Sequence, residues 1–239
     1  ELGSLGQKEA NDGSMSKKKR HHSQVDASSE GARERRRVLL FLSCISTIGF
    51  FANGCEHAVA TWLSSYGVHM AGLAEEKMAI MTSNFWTAMS AGRLGWALCS
   101  SLVPSAYPVL LVNALCCLGA TLLFSQANES TLLIGALGSG IGVSSSFPAL
   151  MTLGPEARIE MTPRRMATLQ LSASAGEMLC PFFLGLCFQF RLYHWFGPLS
   201  FVQQCASFVA LAVAYSGTRL PKHAAHRHAA GHRDGADGA

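Results

Sequence analysis

Charged side chains are scarce in this sequence, and they are nearly missing from its middle. Asp, Glu, Lys and Arg make up 14% of the 239 residues, whereas a soluble domain carries about 25%. Hydrophobic residues make up 49% of the chain. Lys and Arg crowd two early runs, Lys17–Arg20 and Arg33–Arg37, and long uncharged tracts follow. This composition argues against an ordinary soluble domain. We expect the chain to lie in a lipid bilayer and to bind no nucleic acid.

The sequence also lacks the residue spacings that catalysis or metal binding needs. Its eight cysteines lie in or beside apolar segments, with no Cys-x-x-Cys pair, and we expect them to be small buried side chains. The glycines of 135–142 follow no strand and are not a dinucleotide fingerprint. Gly138 and Gly142 instead form a GxxxG step that allows close helix packing. We therefore expect no enzymatic activity, no cofactor and no metal.

Six long apolar segments predict the fold. Each approaches the ~20 apolar residues that a spanning helix needs, and none alternates with the period of a strand. They are Val38–Ser65, Met78–Leu102, Tyr107–Gln126, Leu132–Leu153, Ala167–Gln189 and Phe196–Ser216. The expected fold class is an all-α polytopic membrane protein with six transmembrane helices. The first segment is too long for one straight span, so we expect a break or kink at its centre, within Ala52–His57.

The distribution of basic residues predicts the orientation in the membrane. Lys and Arg cluster in the head of the chain, in the loop 154–166 and in the tail, whereas Lys77 and Arg191 fall in loops on the opposite side. Cytoplasmic loops carry such an excess, so both ends are predicted to be cytoplasmic. The acceptor sequon at Asn128 falls on the far side, where glycosylation can occur. The pattern does not distinguish the plasma membrane from an internal membrane.

The two ends of the chain have a different composition from the six segments. Residues 1–37 are polar and basic, which predicts a disordered cytoplasmic linker able to rest on anionic lipid. Residues 38–216 are the predicted six-helix bundle. Residues 217–239 are His-rich and of low complexity, which predicts a disordered cytoplasmic tail. The chain begins with Glu1 rather than Met, and we expect further sequence upstream.

Polar side chains inside the predicted spans form helical stripes. In the first span, polar residues recur every four positions and form one stripe: Asn53, His57, Thr61 and Ser65. The carboxylate of Glu56 lies beside this stripe. The second and fifth spans each carry three such residues at i, i+4 and i+7: Trp86, Ser90 and Arg93, then Gln170, Ser174 and Glu177. The third span has only Asn113 and Thr121 in its interior and is predicted to face lipid.

Two interpretations of these stripes stay open. An ionisable group in hydrocarbon costs a few kcal/mol and usually faces a cavity, so the first, second and fifth spans, with Ser144–Ser146 of the fourth, are predicted to surround a polar cavity. Alternatively the groups satisfy one another as pairs between helices. In that case Arg93 is expected to pair with Glu56 or with Glu177.

Four stretches in order resemble the C-terminal six-helix half of the major facilitator superfamily, within its sodium-dependent glucose transporter-like and fucose permease-like branch. The stretches are NGCEHAVATWLSSYG, SNFWTAMSAGRLGWAL, GSGIGVSSSFPALMTLGPE and ASAGEMLCPFFLG. The residues that match the branch are Gly54, Glu56, Trp62 and Tyr66 in the first, Phe85, Trp86, Gly92, Arg93 and Leu94 in the second, and Ser146, Phe147 and Pro148 in the third. The resemblance runs from about Val38 to Ser216 and implies half of a twelve-helix fold whose N-terminal six helices are missing here.

The resemblance implies transport of a polar solute, a hexose or related sugar, by alternating access. The expected substrate-binding residues are Glu56, Trp62, Asn84, Trp86 and Gln170, with Glu56 accepting sugar hydroxyls or a coupling Na⁺ or H⁺ and the tryptophans stacking on a ring face. The expected coupling or gating residues are Glu56, His57, Arg93 and Glu177. The alternative function, from another class, is a non-transporting six-helix membrane protein that scaffolds or regulates a partner.

Overall fold

The computed structural model describes the backbone of residues 2–218 and the side chains of residues 30–217. That part of the chain is helical and contains no strand. Its helices are α1 (Leu2–Ala71), α2 (Glu75–Cys99), α3 (Ala106–Phe124), α4 (Glu129–Ser144), α5 (Ser146–Glu156), α6 (Pro163–Gln189) and α7 (Phe196–Thr218), with 3₁₀ turns at Ser100–Leu102 and Tyr193–Trp195.

Contacts divide the chain into two units, Glu1–Leu40 and Phe41–Ala239. The predicted boundaries of the basic linker and of the His-rich tail stay predictions. Residues 219–239 of that tail lie outside the described part of the chain.

The helices have the lengths and composition of a multi-pass membrane protein. Five stretches are long and apolar enough to cross a bilayer: Glu30–Ala71, Ala106–Phe124, Glu129–Glu156, Pro163–Gln189 and Tyr193–Gly217. Helix α2 has 25 residues, which is also long enough, but its charged residues at 75–77 and Arg93 lower its hydropathy. The all-α class is therefore confirmed, and the predicted sixth span depends on α2.

Helix α1 runs without interruption through Ala52–His57, so the predicted break there is wrong. The glycine of this stretch, Gly54, lies where α6 packs against α1. A side chain at Gly54 would meet the thiol of Cys180 and would approach the carbonyl oxygen of Gly176 to 2.9 Å. A side chain at Gly176 would in turn meet the backbone carbonyl of Phe50. Glycine in the first span therefore allows a close contact between two helices and does not end the helix.

The interruption lies instead in the fourth span, where α4 ends and α5 begins at Ser145. Ser145 has φ −107° and ψ 4°, outside the helical range. Pro148 explains the position, because it has no N–H to donate to the carbonyl of Ser144 four residues earlier and its ring clashes with that carbonyl. The segment predicted as one helix, Leu132–Leu153, is thus two helices joined at a serine.

Helix α3 packs between α4 and α7, which leaves one of its sides exposed. That this span faces lipid stays a prediction. The buried side includes Asn113, 7% exposed, and Thr121, 1% exposed. The opposite side is exposed and aliphatic, with Leu111, Val112 and Leu115. The two polar residues of this span therefore face the interior of the bundle.

An aromatic cluster fixes one end of the bundle. Tyr66 of α1 donates a hydrogen bond from its hydroxyl to the carbonyl oxygen of Phe124 at 2.6 Å, and its ring stacks on Phe196 with 4.6 Å between centroids. Both rings are almost fully buried. Because Tyr66 joins α1 to the end of α3 and the start of α7, it sets the position of α1 within the bundle.

We predict that Gly176→Ala destabilises the bundle by about 1–3 kcal/mol, the usual cost of overpacking, because the new methyl group meets the backbone of Phe50. The matched control is Gly119→Ala on α3, since a side chain there meets nothing within 4 Å. That change should be neutral or stabilising by up to about 1 kcal/mol. Thermal unfolding in detergent measures both. Equal effects of the two substitutions would contradict the packing described for α1 and α6.

Candidate functional site

The centre of the candidate site is an ion pair between α1 and α2. Arg93 Nη2 lies 3.3 Å from Glu56 Oε1. The Glu56 side chain is 9% exposed and the Arg93 side chain 54% exposed. The carboxylate is thus enclosed by the bundle, while the guanidinium reaches it from the edge. Of the two partners expected for Arg93, the structure selects Glu56.

Close packing of α2 against α4 brings Arg93 to this position. A side chain at Gly140 would meet the carbonyl oxygen of Phe85, and one at Gly92 would meet the hydroxyl of Ser144. Small residues at both positions let the two helix backbones approach. Gly92 precedes Arg93 in the chain, so the close approach of α2 to α4 fixes the position of the Arg93 backbone from which the guanidinium extends.

A second polar contact joins α1 to α6. Asn53 Nδ2 donates to Glu177 Oε1 at 3.3 Å. Asn53 lies three residues before Glu56, which places the two side chains about 60° apart around α1 at 100° per residue. On one face of α1, the amide of Asn53 is hydrogen-bonded to Glu177 of α6. On the adjacent face, the carboxylate of Glu56 pairs with Arg93 of α2.

His57 lies beside this pair and interacts within its own helix. Its Nδ1 is 3.1 Å from the carbonyl oxygen of Asn53, and the residue is half-buried. The structure thus places His57 next to both polar contacts, but its ring nitrogen Nδ1 is turned to the α1 backbone. Its predicted role in coupling or gating stays a prediction.

Trp62 lies in an aromatic cleft between α1 and α6. Its indole N–H donates to the carbonyl oxygen of Pro181 at 2.9 Å, and its ring meets Phe188 edge to face with 5.0 Å between centroids. The cleft has a volume of about 500 Å³. Its walls are mostly apolar, and three polar residues contribute to them: Ser65, Gln189 and Tyr193.

The five predicted substrate-binding residues do not meet at one point. Glu56 and Trp62 are six residues apart, so they project about 120° apart around α1, one toward α2 and the other toward α6. Trp86 packs edge to face on Phe85 and is 42% exposed. Asn84 is half-buried and Gln170 exposed. Among the described residues, neither of these amides is hydrogen-bonded to another predicted site residue, and the assignment to substrate stays a prediction.

Three side chains with a buried amide were not predicted as site residues: Asn53, Asn113 and Gln204. Asn53 belongs to the stripe on the first span, so its signal was present in the spacing. Gln204 also had a signal in the spacing, since Ser200, Gln204 and Ser207 stand at i, i+4 and i+7 in the last span. Asn113, by contrast, has no polar residue three or four positions away. A single amide in a spanning helix itself indicates a buried polar contact, because hydrocarbon offers the amide no hydrogen-bond partner.

The fold and the site together describe a helical chain with several helices suited to crossing a membrane and with ionisable residues at their contacts. No protein-family model matches the chain, and no curated protein matches it.

We predict unequal effects when either partner of the ion pair is neutralised. Arg93→Gln leaves a buried carboxylate without its cation and should cost roughly 3 kcal/mol. Glu56→Gln leaves a guanidinium that already reaches the edge of the bundle, and should cost about 1 kcal/mol or less. Thermal unfolding of each variant in detergent measures the difference. If Glu56→Gln is as damaging as Arg93→Gln, the pair is not enclosed on the Glu56 side as described.

Proposed function

We propose that the chain is half of a membrane transporter that moves a polar solute, a hexose or related sugar, by alternating access. The observation that carries the proposal is the enclosed carboxylate of Glu56, held by Arg93 from a neighbouring helix. Such a group is costly in a bilayer and is usually tied to the passage of a solute or an ion. The resemblance of the four motifs to the major facilitator superfamily supports the same proposal.

The outward faces of α2 and α6 support a polar cavity. Ser90 and Trp86 are exposed on α2, and Gln170 and Ser174 are exposed on α6. Polar side chains in the middle of a spanning helix need water or protein next to them, because lipid cannot bond them. In the proposed transporter these faces border the cavity between this half and an N-terminal six-helix half.

The exposure of Arg93 suits a contact that exchanges partners. The Glu56 carboxylate is 9% exposed, whereas the Arg93 side chain is 54% exposed and reaches the edge of the bundle. In our proposal a solute hydroxyl or a proton competes with Arg93 for the carboxylate, and the released guanidinium moves toward the cavity.

The cleft beside Trp62 supplies a place for a sugar ring. Binding sites for small molecules commonly have volumes of about 300–1,000 Å³, and this cleft has about 500 Å³. An indole face packs on the apolar face of a ring, while Ser65 and Gln189 offer hydrogen bonds to hydroxyls. Trp62 and Glu56 would then act at different places along α1 and not in one contact shell.

We predict that Glu56→Gln lowers solute uptake by at least about tenfold, the effect of losing about 1.4 kcal/mol, with little loss of stability. Uptake of radiolabelled hexoses into proteoliposomes measures it, in protein that includes the proposed N-terminal half. The chain by itself should not transport, because one wall of the cavity is absent. Glu76→Gln, an exposed carboxylate at the start of α2, is the matched control and should transport normally.

Three results would contradict the proposal. Normal uptake by Glu56→Gln would remove the functional role of the carboxylate. Severe instability of Glu56→Gln and Arg93→Gln that disappears in the double variant would make the pair a structural contact only. Absence of uptake in every form, with a stable partner bound to α2 and α6, would favour the scaffolding function.

A further inference from the structure

The joint between α4 and α5 is held by side chains that are all buried. Asn113 Nδ2 of α3 donates to Ser145 Oγ at 2.9 Å and to Ser146 Oγ at 3.3 Å. Ser146 Oγ donates to the carbonyl oxygen of Gly142 at 3.0 Å. Because Pro148 interrupts the helical hydrogen bonds here, these contacts connect the two helices and fix their junction to α3.

Gln204 of α7 approaches the same joint with an unpartnered donor. The residue is 2% exposed, and within the described part of the chain its Nε2 has no hydrogen-bond partner. The thiol of Cys55 is close enough to interact with the Gln204 side chain, but it makes no hydrogen bond of ordinary geometry with Nε2, and a thiol is a weak acceptor. Buried amide groups almost always have a partner, so this donor requires an explanation.

Gln204 lines a small cavity beside the joint. Its volume is about 10 Å³, and polar residues form part of its wall: Asn113, Ser146, Gln204 and Ser207. The rest of the wall is apolar and comes from α1, α3, α4 and α7. A single buried water needs about 10–15 Å³ and two to four polar partners, so both the size and the wall suit one water molecule.

We propose that this cavity binds one structural water molecule, which accepts a hydrogen bond from Gln204 Nε2 and is also bonded to the hydroxyl of Ser207 and to a polar group of Asn113 or Ser146. The unpartnered N–H must meet an acceptor, which argues against a metal cation or a hydrocarbon chain as the occupant. A water in this place joins α7 to the α4–α5 joint and to α3. The proposal does not depend on the transport function.

The sign of a stability change tests the proposal. Gln204→Met keeps a similar side-chain volume and removes the amide. If a water is bound, the variant loses its hydrogen bonds and strands the water, and the melting temperature of the full chain in detergent should fall by about 2–4 °C. If the cavity is dry, the substitution removes a buried unpaired donor. The melting temperature should then stay the same or rise, which would overturn the proposal.

Gln203→Met is the matched control, because Gln203 is the preceding residue of α7 and lines no part of this cavity. Its melting temperature should not fall. If Gln204→Met does not fold, Ser207→Ala is a smaller change in the cavity wall that tests the same proposal. A bound water predicts a lower melting temperature for Ser207→Ala, and a dry cavity predicts no decrease. A high-resolution experimental structure gives the direct answer. Density within about 3.2 Å of Gln204 Nε2 supports the water, and an empty or closed cavity rejects it.

Discussion

The contact between Glu56 and Arg93 is the interaction on which the rest of the candidate site depends. Hydrocarbon offers no hydrogen bond to a carboxylate, so a spanning helix can hold one only where a partner or water neutralises it. Here the partner comes from the neighbouring helix, and the glycine contacts of α2 with α4 bring it there. The pair therefore requires α1, α2 and α4 to pack together before it can form.

Helix α1 is bound differently on its two sides. Toward α6 it makes a close backbone contact at Gly54 and Gly176, with the Asn53–Glu177 hydrogen bond beside it. Toward α2 it relies on the longer ion pair. A close glycine contact cannot lengthen without losing its packing, whereas the Arg93 side chain of the ion pair is 54% exposed and can reach a partner outside the bundle. In the proposed transporter, the α1–α2 side is thus better suited to movement than the α1–α6 side.

How much the sequence could predict varies from residue to residue. The helical class and most of the spans follow from apolar length alone. The need of each charge for a partner predicted that Arg93 could pair with Glu56 or Glu177, and only the packing of the helices selects Glu56. The interruption of the helix was misplaced because Gly54 has two physical uses, as a weak point in a helix and as a space for a neighbour. Only the position of α6 distinguishes them. The orientation of Trp62 toward α6 likewise depends on packing, since spacing along α1 does not say which neighbour lies on which side.

The central claim is that the outward faces of α2 and α6 border water within the membrane. The most direct test is labelling of single introduced cysteines by a membrane-impermeant thiol reagent in the complete protein, as the gain over the eight native cysteines. Ser90→Cys and Ser174→Cys lie near the middle of α2 and α6, while Val112→Cys and Leu115→Cys lie on the exposed aliphatic side of α3. Our account predicts labelling at the first two positions and none at the other two. Equal labelling at all four, or none at Ser90 and Ser174, would contradict it.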